Sequence, residues 1–283
     1  MTTDAYIFSY NRADALRECL QSFFERSVHL PDRVLLIDDH SYQDAQDVIV
    51  SARDRYLDRA WLDTYFKDHN QGFSQSAQVA LGCARNNNPD FVYFIEGDYV
   101  FRPGGLDDVH LLLTQTEAGK NCMGVVGYDH PNFYHEHFTH PTDGVFSRCM
   151  RQQVGEDNVN RAVLHQPFYR VDGPKNMFAY SLVSNTCWTC YLNWRQVMAV
   201  ASEFPELNDL LDQACAPREN PNYPDSGKYK AQRVVDDGML SHAMSLCWNR
   251  WAIKHGIDRD RNAAWLNIKP SVAEHRHQGG MHS

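Results

Sequence analysis

The sequence predicts an α/β protein built on a doubly wound sheet whose first half is parallel. Three observations carry this. β-forming, largely apolar runs recur at residues 5–9, 33–37, 61–67 and 91–95, the pattern of strands buried on both faces. Segments with apolar residues at helical spacing lie between them. Each run ends in a polar or acidic cluster, which gathers chemistry at the carboxyl edge of one sheet, where open α/β folds bind ligands.

In chain order, the strand at 5–9 ends in Tyr10-Asn11-Arg12, and a helix over 14–24 follows with Asp14 near its start, where a carboxylate complements the helix dipole. The strand at 33–37 ends in Asp38-Asp39-His40-Ser41 and leads to a helix over 44–56. A third strand, 61–67, ends in Asp68-His69-Asn70-Gln71-Gly72-Phe73, before a helix over 74–83. The run from Phe91 ends in Glu96-Gly97-Asp98. Strand, polar tip and helix repeated in this way specify right-handed parallel crossovers.

Past residue 105 the pattern loosens. A helix over 106–116, a short strand over 122–127, a strand-like aromatic stretch over 178–192 and a helix over 193–204 are expected, with a last helix running from about 240 to 255. Residues 128–170 and 215–230 read as loops, the second rich in Pro, Gly, Asn and Asp. There is no internal repeat and no clear linker. One domain is expected, with 1–105 as a ligand-binding half and 106–283 as an irregular half.

Composition narrows the class. At 283 residues the chain can bury a large core without staples. A formal net charge of −9 and a pI near 5.8 exclude nucleic-acid binding by a broad basic surface, while leaving a local groove open. No apolar run approaches the length of a membrane span, and Met1-Thr2-Thr3-Asp4 leads straight into a strand, so a soluble cytoplasmic protein is expected. Of eight cysteines only Cys187 and Cys190 form a C-x-x-C pair, with no second pair to complete a zinc site. Both read as reduced and buried.

The chemistry centres on Glu96-Gly97-Asp98. Two carboxylates one residue apart at a strand edge can reach a hard divalent cation, which prefers oxygen ligands and is often shared with substrate phosphates. An isolated E-G-D also fits a solvated acidic turn. Asp236-Asp237, before the last helix, fits a general base or simply an N-cap and first-turn acid. Gly72 admits close backbone approach or is an ordinary turn glycine. Arg12 suits a phosphate, a base or a surface ion pair. His130, His135, His137 and His140, interleaved with Phe133, Tyr134 and Phe138, match no standard zinc spacing and suit a stacking wall for an acceptor as well as a surface loop.

Taken in order, these motifs resemble the inverting GT-A glycosyltransferases of family 2. The resemblance covers the first hundred residues and returns in patches at 175–200, 234–246 and 270–279. The strand ending Ser9-Tyr10-Asn11-Arg12 is similar to the family's opening nucleotide-contact strand, though many members have Pro where Ser9 stands. Asp38-Asp39-His40-Ser41 resembles its D-D-x-S tip, Asn70-Gln71-Gly72 its N-x-G turn, and Glu96-Gly97-Asp98 its D-x-D, with Glu in place of the first Asp. Asp236-Asp237 resembles the E-D motif of the catalytic base, and residues 270–275 the C-terminal P-x-x-x-x-H. The resemblance implies a GT-A fold with a mixed sheet and a metal-dependent, inverting sugar transfer from a nucleotide sugar, a UDP-sugar first among the donors. Mn2+ or Mg2+ is then held by Asp98, by Glu96 and by His275, with His277 as the alternative histidine. Tyr10, Arg12, Asp38, Asp39, Asn70, Gly72 and Glu96 face the donor, and Asp237, or else Asp236, is the base.

Two other readings stay open. A sugar-nucleotide-forming nucleotidyltransferase would open with a Gly-rich loop, which Ser9-Tyr10-Asn11-Arg12 lacks. A non-catalytic nucleotide-sugar-binding module would have no need of Asp98 and Asp237. The acceptor, whether glycan, small molecule, protein or modified DNA base, is not written in these motifs.

Overall fold

The computed structural model describes residues 1–127, 169–172, 177–183, 189–215, 237–269 and 271–276. The first half alternates as expected: β1 (Thr3–Ser9), α1 (Ala13–Glu25), β2 (Arg33–Asp38), α2 (Gln43–Tyr56), β3 (Trp61–Phe66), α3 (Phe73–Asn87) and β4 (Phe91–Glu96). The second half holds β5 (Tyr99–Phe101), α4 (Gly105–Gln115), α5 (Glu117–Asn121), β6 (Gly124–Val126), β7 (Tyr169–Asp172), β8 (Met177–Val183) and β9 (Cys190–Asn193). It continues with α6 (Trp194–Glu203), α7 (Pro205–Cys215), α8 (Asp237–Lys254), β10 (Trp265–Lys269) and β11 (Ala273–His275).

Among the described residues nine strands form one mixed sheet in the order β3-β2-β1-β4-β9-β6-β10-β8-β7. β3, β2, β1 and β4 are mutually parallel, and β9 runs antiparallel between β4 and β6. β10 lies parallel to β6, and β8 and β7 close that edge antiparallel. Side chains alternate across the sheet. Ala5 and Ile7 of β1 join the core beneath α1, α2 and α4, whereas Tyr6 and Phe8 join the core beneath α3, α6, α7 and α8. Both faces are therefore covered, which is why β1, β2 and β4 are apolar almost throughout. Each fully buried Ile or Phe in these layers contributes ~1.5–3 kcal/mol.

The strand from Phe91 ends at its E-G-D tip, as expected. β4 stops at Glu96, and Gly97 turns the chain with its N–H donating to the Phe8 carbonyl at 2.8 Å. A Cβ at Gly97 would lie 2.7 Å from that carbonyl oxygen, so the close crossing needs glycine. β5 then pairs with β11 in a separate two-stranded ribbon.

Departures from expectation concern the second half and the end of α3. The stretch at 178–192, expected as one strand, is two: β8 and β9 occupy non-adjacent places in the sheet, separated by β6 and β10. β10 and α7 have no counterpart among the sequence expectations. β10 is short and carries Asn267 and Lys269, which hide it in a polar tail, yet it sits between β6 and β8. α7 opens on Pro205, a residue suited to the first helical position, and packs Leu207 and Leu211 into the core. α3 runs about one turn beyond expectation and stops where Asn88 takes a left-handed conformation (φ 45°).

Cys19, Cys83, Cys122, Cys190 and Cys247 are free thiols, and Cys187 lies outside the described residues. Among the described residues no helix is long and apolar enough to cross a membrane.

Candidate functional site

Strand register puts the polar tips at one level. Ser9 is aligned with Asp38, Asp38 with Phe66, and Phe8 with Glu96. The loop after each of these strands is therefore delivered to the same edge of the sheet.

The first two tips are tied together. Asn11 adopts φ 50°, its N–H donates to Ser41 Oγ at 2.9 Å, and its Oδ1 accepts from the Tyr42 N–H at 2.7 Å. Asn tolerates this left-handed conformation better than most residues. Tyr10, beside it, is half exposed. Within the second tip the two aspartates differ. Asp38 is fully buried, and both of its oxygens accept from Ser41, Oδ2 from the N–H at 2.9 Å and Oδ1 from the hydroxyl. It holds the turn. Asp39 accepts from Lys67 Nζ at 2.9 Å and from the Gln71 N–H at 2.8 Å, and both of these bonds fall on Oδ1.

Lys67 is a site residue that sequence reasoning missed. A lysine at a strand end reads as solvated, but this side chain is only 1% exposed. Its ammonium also donates to Ser76 Oγ at 2.8 Å and to the Gly72 carbonyl at 3.4 Å. Burial pushes its pKa down, and hydrogen bonding and attraction to Asp39 oppose that shift. It staples the second tip to the third. There, Asn70 Oδ1 accepts from the Gly72 N–H at 3.0 Å, and Gly72, at φ 79°, occupies a conformation that a side chain would strain. Gly72 then opens α3, with the Gln75 N–H donating to its carbonyl at 3.2 Å.

At the fourth tip, Glu96 Oε2 accepts from Thr189 Oγ1 at 3.3 Å, while Thr189 Oγ1 accepts from the Glu96 N–H at 3.3 Å. Thr189 precedes β9, and no sequence motif marked it. Asp98 is nearly buried, and the Arg12 guanidinium, 86 residues earlier in the chain, donates to its Oδ2. Of the roles open to Arg12, the structure places it on this carboxylate. The Arg276 N–H donates to the Asp98 carbonyl at 2.9 Å, so the end of the β5–β11 ribbon fixes the Asp98 backbone from the other side.

β11 sets His275 opposite Tyr99, the residue after Asp98. The His275 side chain lies outside the described residues, as do Asp236, His277 and the loop carrying His130, His135, His137 and His140. Asp237 is the first residue of α8, with its side chain likewise undescribed. Among the described residues no group of three or more His, Cys, Asp or Glu side chains converges as a metal cage. The donor set that is present, two carboxylates at a strand tip, fits a hard cation that completes its shell with ligand oxygens. Asp98 already faces one positive charge.

The sequence profile of the family described as glycosyl transferase family 2 matches residues 4–178. No curated protein sequence matches the chain significantly. Similar solved structures include a mannosyltransferase from Pyrobaculum calidifontis in complex with GDP-Man and Mn2+, 17% identical over 46% of this chain and 36% of that one, with a TM-score of 0.38. A structure of S. aureus TarS 1–349 is 15% identical over 74% of this chain and 50% of that one, with a TM-score of 0.44. Glucosyl-3-phosphoglycerate synthase from Mycobacterium tuberculosis, in complex with Mn2+, uridine diphosphate and glucosyl-3-phosphoglycerate, is 15% identical over 54% of this chain and 52% of that one, with a TM-score of 0.37. In each case the match spans about half or less of the solved chain.

Proposed function

The chain belongs to glycosyl transferase family 2, and from that premise we propose that it moves a sugar from a nucleotide-sugar donor to an acceptor hydroxyl with inversion at the anomeric carbon. The observation that carries the reading is the assembly of Asp39, Glu96 and Asp98 at the aligned tips of parallel strands, with Asp98 nearly buried yet matched to a cation.

Each residue has a definable task. Asp39 Oδ2 accepts from the nucleoside, while Asp38 and Lys67 hold the loops that present it. Asn70 and Gly72 shape the third tip so that backbone can approach the donor closely. Asp98 and Glu96, with His275 brought alongside by the β11 register, would hold Mn2+ or Mg2+. When bound, that cation supplies positive charge to the diphosphate as it leaves. Asp237, at the start of α8, accepts the proton of the acceptor hydroxyl as its oxygen bonds to the anomeric carbon. The nucleoside diphosphate departs from the opposite face with the bonding electron pair.

Residues 1–105 form the donor half in this reading, and 106–283 supply the base and the acceptor surface. A UDP-sugar is the first donor to test. The acceptor is a glycan, small molecule, protein or modified DNA base, and the net charge of −9 makes a broadly held nucleic acid the weakest of these.

Calorimetry with Mn2+ and UDP, repeated with GDP, tests the site directly. Asp98→Ala should abolish metal-dependent nucleotide binding with a preserved circular dichroism spectrum. Unchanged metal-dependent binding in that variant would remove Asp98 from the site.

A further inference from the structure

The cation that faces Asp98 in this structure belongs to the protein. Asp98 is fixed: its backbone is held by the Gly97 N–H on the Phe8 carbonyl and by the Arg276 N–H on its own carbonyl. Its side chain is 6% exposed, so its charge needs a partner. Arg12 is the opposite case, with a side chain 59% exposed and reaching the carboxylate from the solvent side. It also stands at the N-cap of α1 with no capping hydrogen bond from its side chain. That end of a helix favours anions and disfavours cations, so the guanidinium gains by pairing with an anion there. A carboxylate fixed through its backbone and a cation open to solvent make an exchangeable pair.

We infer that Arg12 is a displaceable counter-ion for Asp98, which holds the carboxylate neutralised until a divalent cation arrives with a diphosphate. The inference rests on the proposed metal role of Asp98. A bare divalent cation must break the Arg12–Asp98 pair and leave the guanidinium without a partner. A cation arriving with a diphosphate supplies that partner, because planar guanidinium pairs well with phosphate oxygens. Metal and nucleotide therefore enter together, and metal alone is held weakly. Arg12 is a positioning residue in this scheme, and its signature is metal affinity in the absence of nucleotide.

The experiment titrates Mn2+ alone, followed by the electron paramagnetic resonance signal of the free ion, into the full chain and its Arg12→Gln, Arg12→Lys and Asp98→Asn variants. Arg12→Gln should bind Mn2+ about tenfold more tightly than the parent, the change that ~1.4 kcal/mol of released pairing gives. Arg12→Lys, which keeps the charge, should stay within about threefold of the parent on the same scale. Asp98→Asn should lose the site. Addition of UDP should tighten Mn2+ binding in the parent by a larger factor than in Arg12→Gln. Asp98-dependent Mn2+ binding that Arg12→Gln leaves unchanged or weakens overturns this inference and spares the metal role. Absence of any Asp98-dependent Mn2+ binding, with or without UDP, overturns both.

Discussion

Lys67 and Asp39 form an ion pair 2.9 Å long in which both side chains are almost wholly buried, 1% and 6% exposed. The pair links the second and third strand tips, since Asp39 also holds the Gln71 N–H and Lys67 also holds Ser76 and the Gly72 carbonyl. Removing one partner of such a pair leaves an uncompensated buried charge, whereas removing both does not. Lys67→Met should therefore cost about 3–5 kcal/mol in urea unfolding, and Lys67→Met combined with Asp39→Asn should recover a large part of that loss. A single-variant cost below ~1 kcal/mol would mean that the pair is solvated in solution.

Gly97 presents a steric prediction. Gly97→Ala places a methyl group 2.7 Å from the Phe8 carbonyl oxygen and 3.0 Å from Leu16 Cδ1. Neither the backbone of β1 nor the core face of α1 yields easily, so the strand tip itself must shift. A loss of about 1–3 kcal/mol is expected. Metal-dependent nucleotide binding should fall as well, because Glu96 and Asp98 flank the displaced residue. Full nucleotide affinity in Gly97→Ala would show that the tip tolerates movement.

Much of this was legible in the sequence, and the reasons for the rest are physical. The β1–β4 series could be read because strands buried on both faces leave long apolar runs, and polar tips punctuate them. β10 could not, since its membership in the sheet depends on β6 and β8, more than 80 residues away in the chain, and on nothing local. The motif carboxylates at 38, 39, 96 and 98 were visible. Their division of labour was not, because Asp38 and Asp39 are told apart only by which atoms Ser41 and Lys67 reach. Lys67 itself gave no sign, as burial of a lysine is decided by partners from other strands. The same holds for Thr189 on Glu96, whereas Arg12 was marked as a site cation without its partner Asp98.

A pH-dependent contribution should come from Glu203 at the end of α6. It accepts from Lys254 Nζ at 2.7 Å and from Trp251 Nε1 at 3.2 Å, and lies 2.8 Å from His255 Nε2, and so anchors the far end of α8, the helix that begins at Asp237. The hydrogen bond from Lys254, and then that with His255, holds this carboxyl below its ordinary value of 4.5. A depressed carboxylate stabilises the fold above its unfolded pKa, and the contribution is lost as pH falls through the folded one. The urea midpoint of the parent should thus drop across the acid range from pH ~5 downward more steeply than that of Glu203→Gln. Parallel curves for the two proteins would show that the anchor makes no difference to stability.

Asp237 is the residue on which the proposed chemistry turns. It opens α8, and a carboxylate at that position has two possible uses. As a first-turn acid it would interact with the helix dipole, which is worth about 0.3–1 kcal/mol and touches no substrate. As the general base it would accept the acceptor's proton, and its loss would slow transfer by about two to four orders of magnitude. Asp237→Asn separates the two, because the amide keeps the shape and the capping capacity but cannot take up the proton. The expected result is unchanged Mn2+ and UDP binding, a melting temperature near that of the parent, and a kcat for transfer reduced ~100- to 10,000-fold. The acid limb of the pH–rate profile should disappear with the base. Asp236→Asn, made in parallel, should keep most of the activity. If instead Asp236→Asn is the slow variant, the base is its neighbour. If neither variant slows transfer, the acidic pair belongs to the helix terminus alone and the proton acceptor must be sought elsewhere.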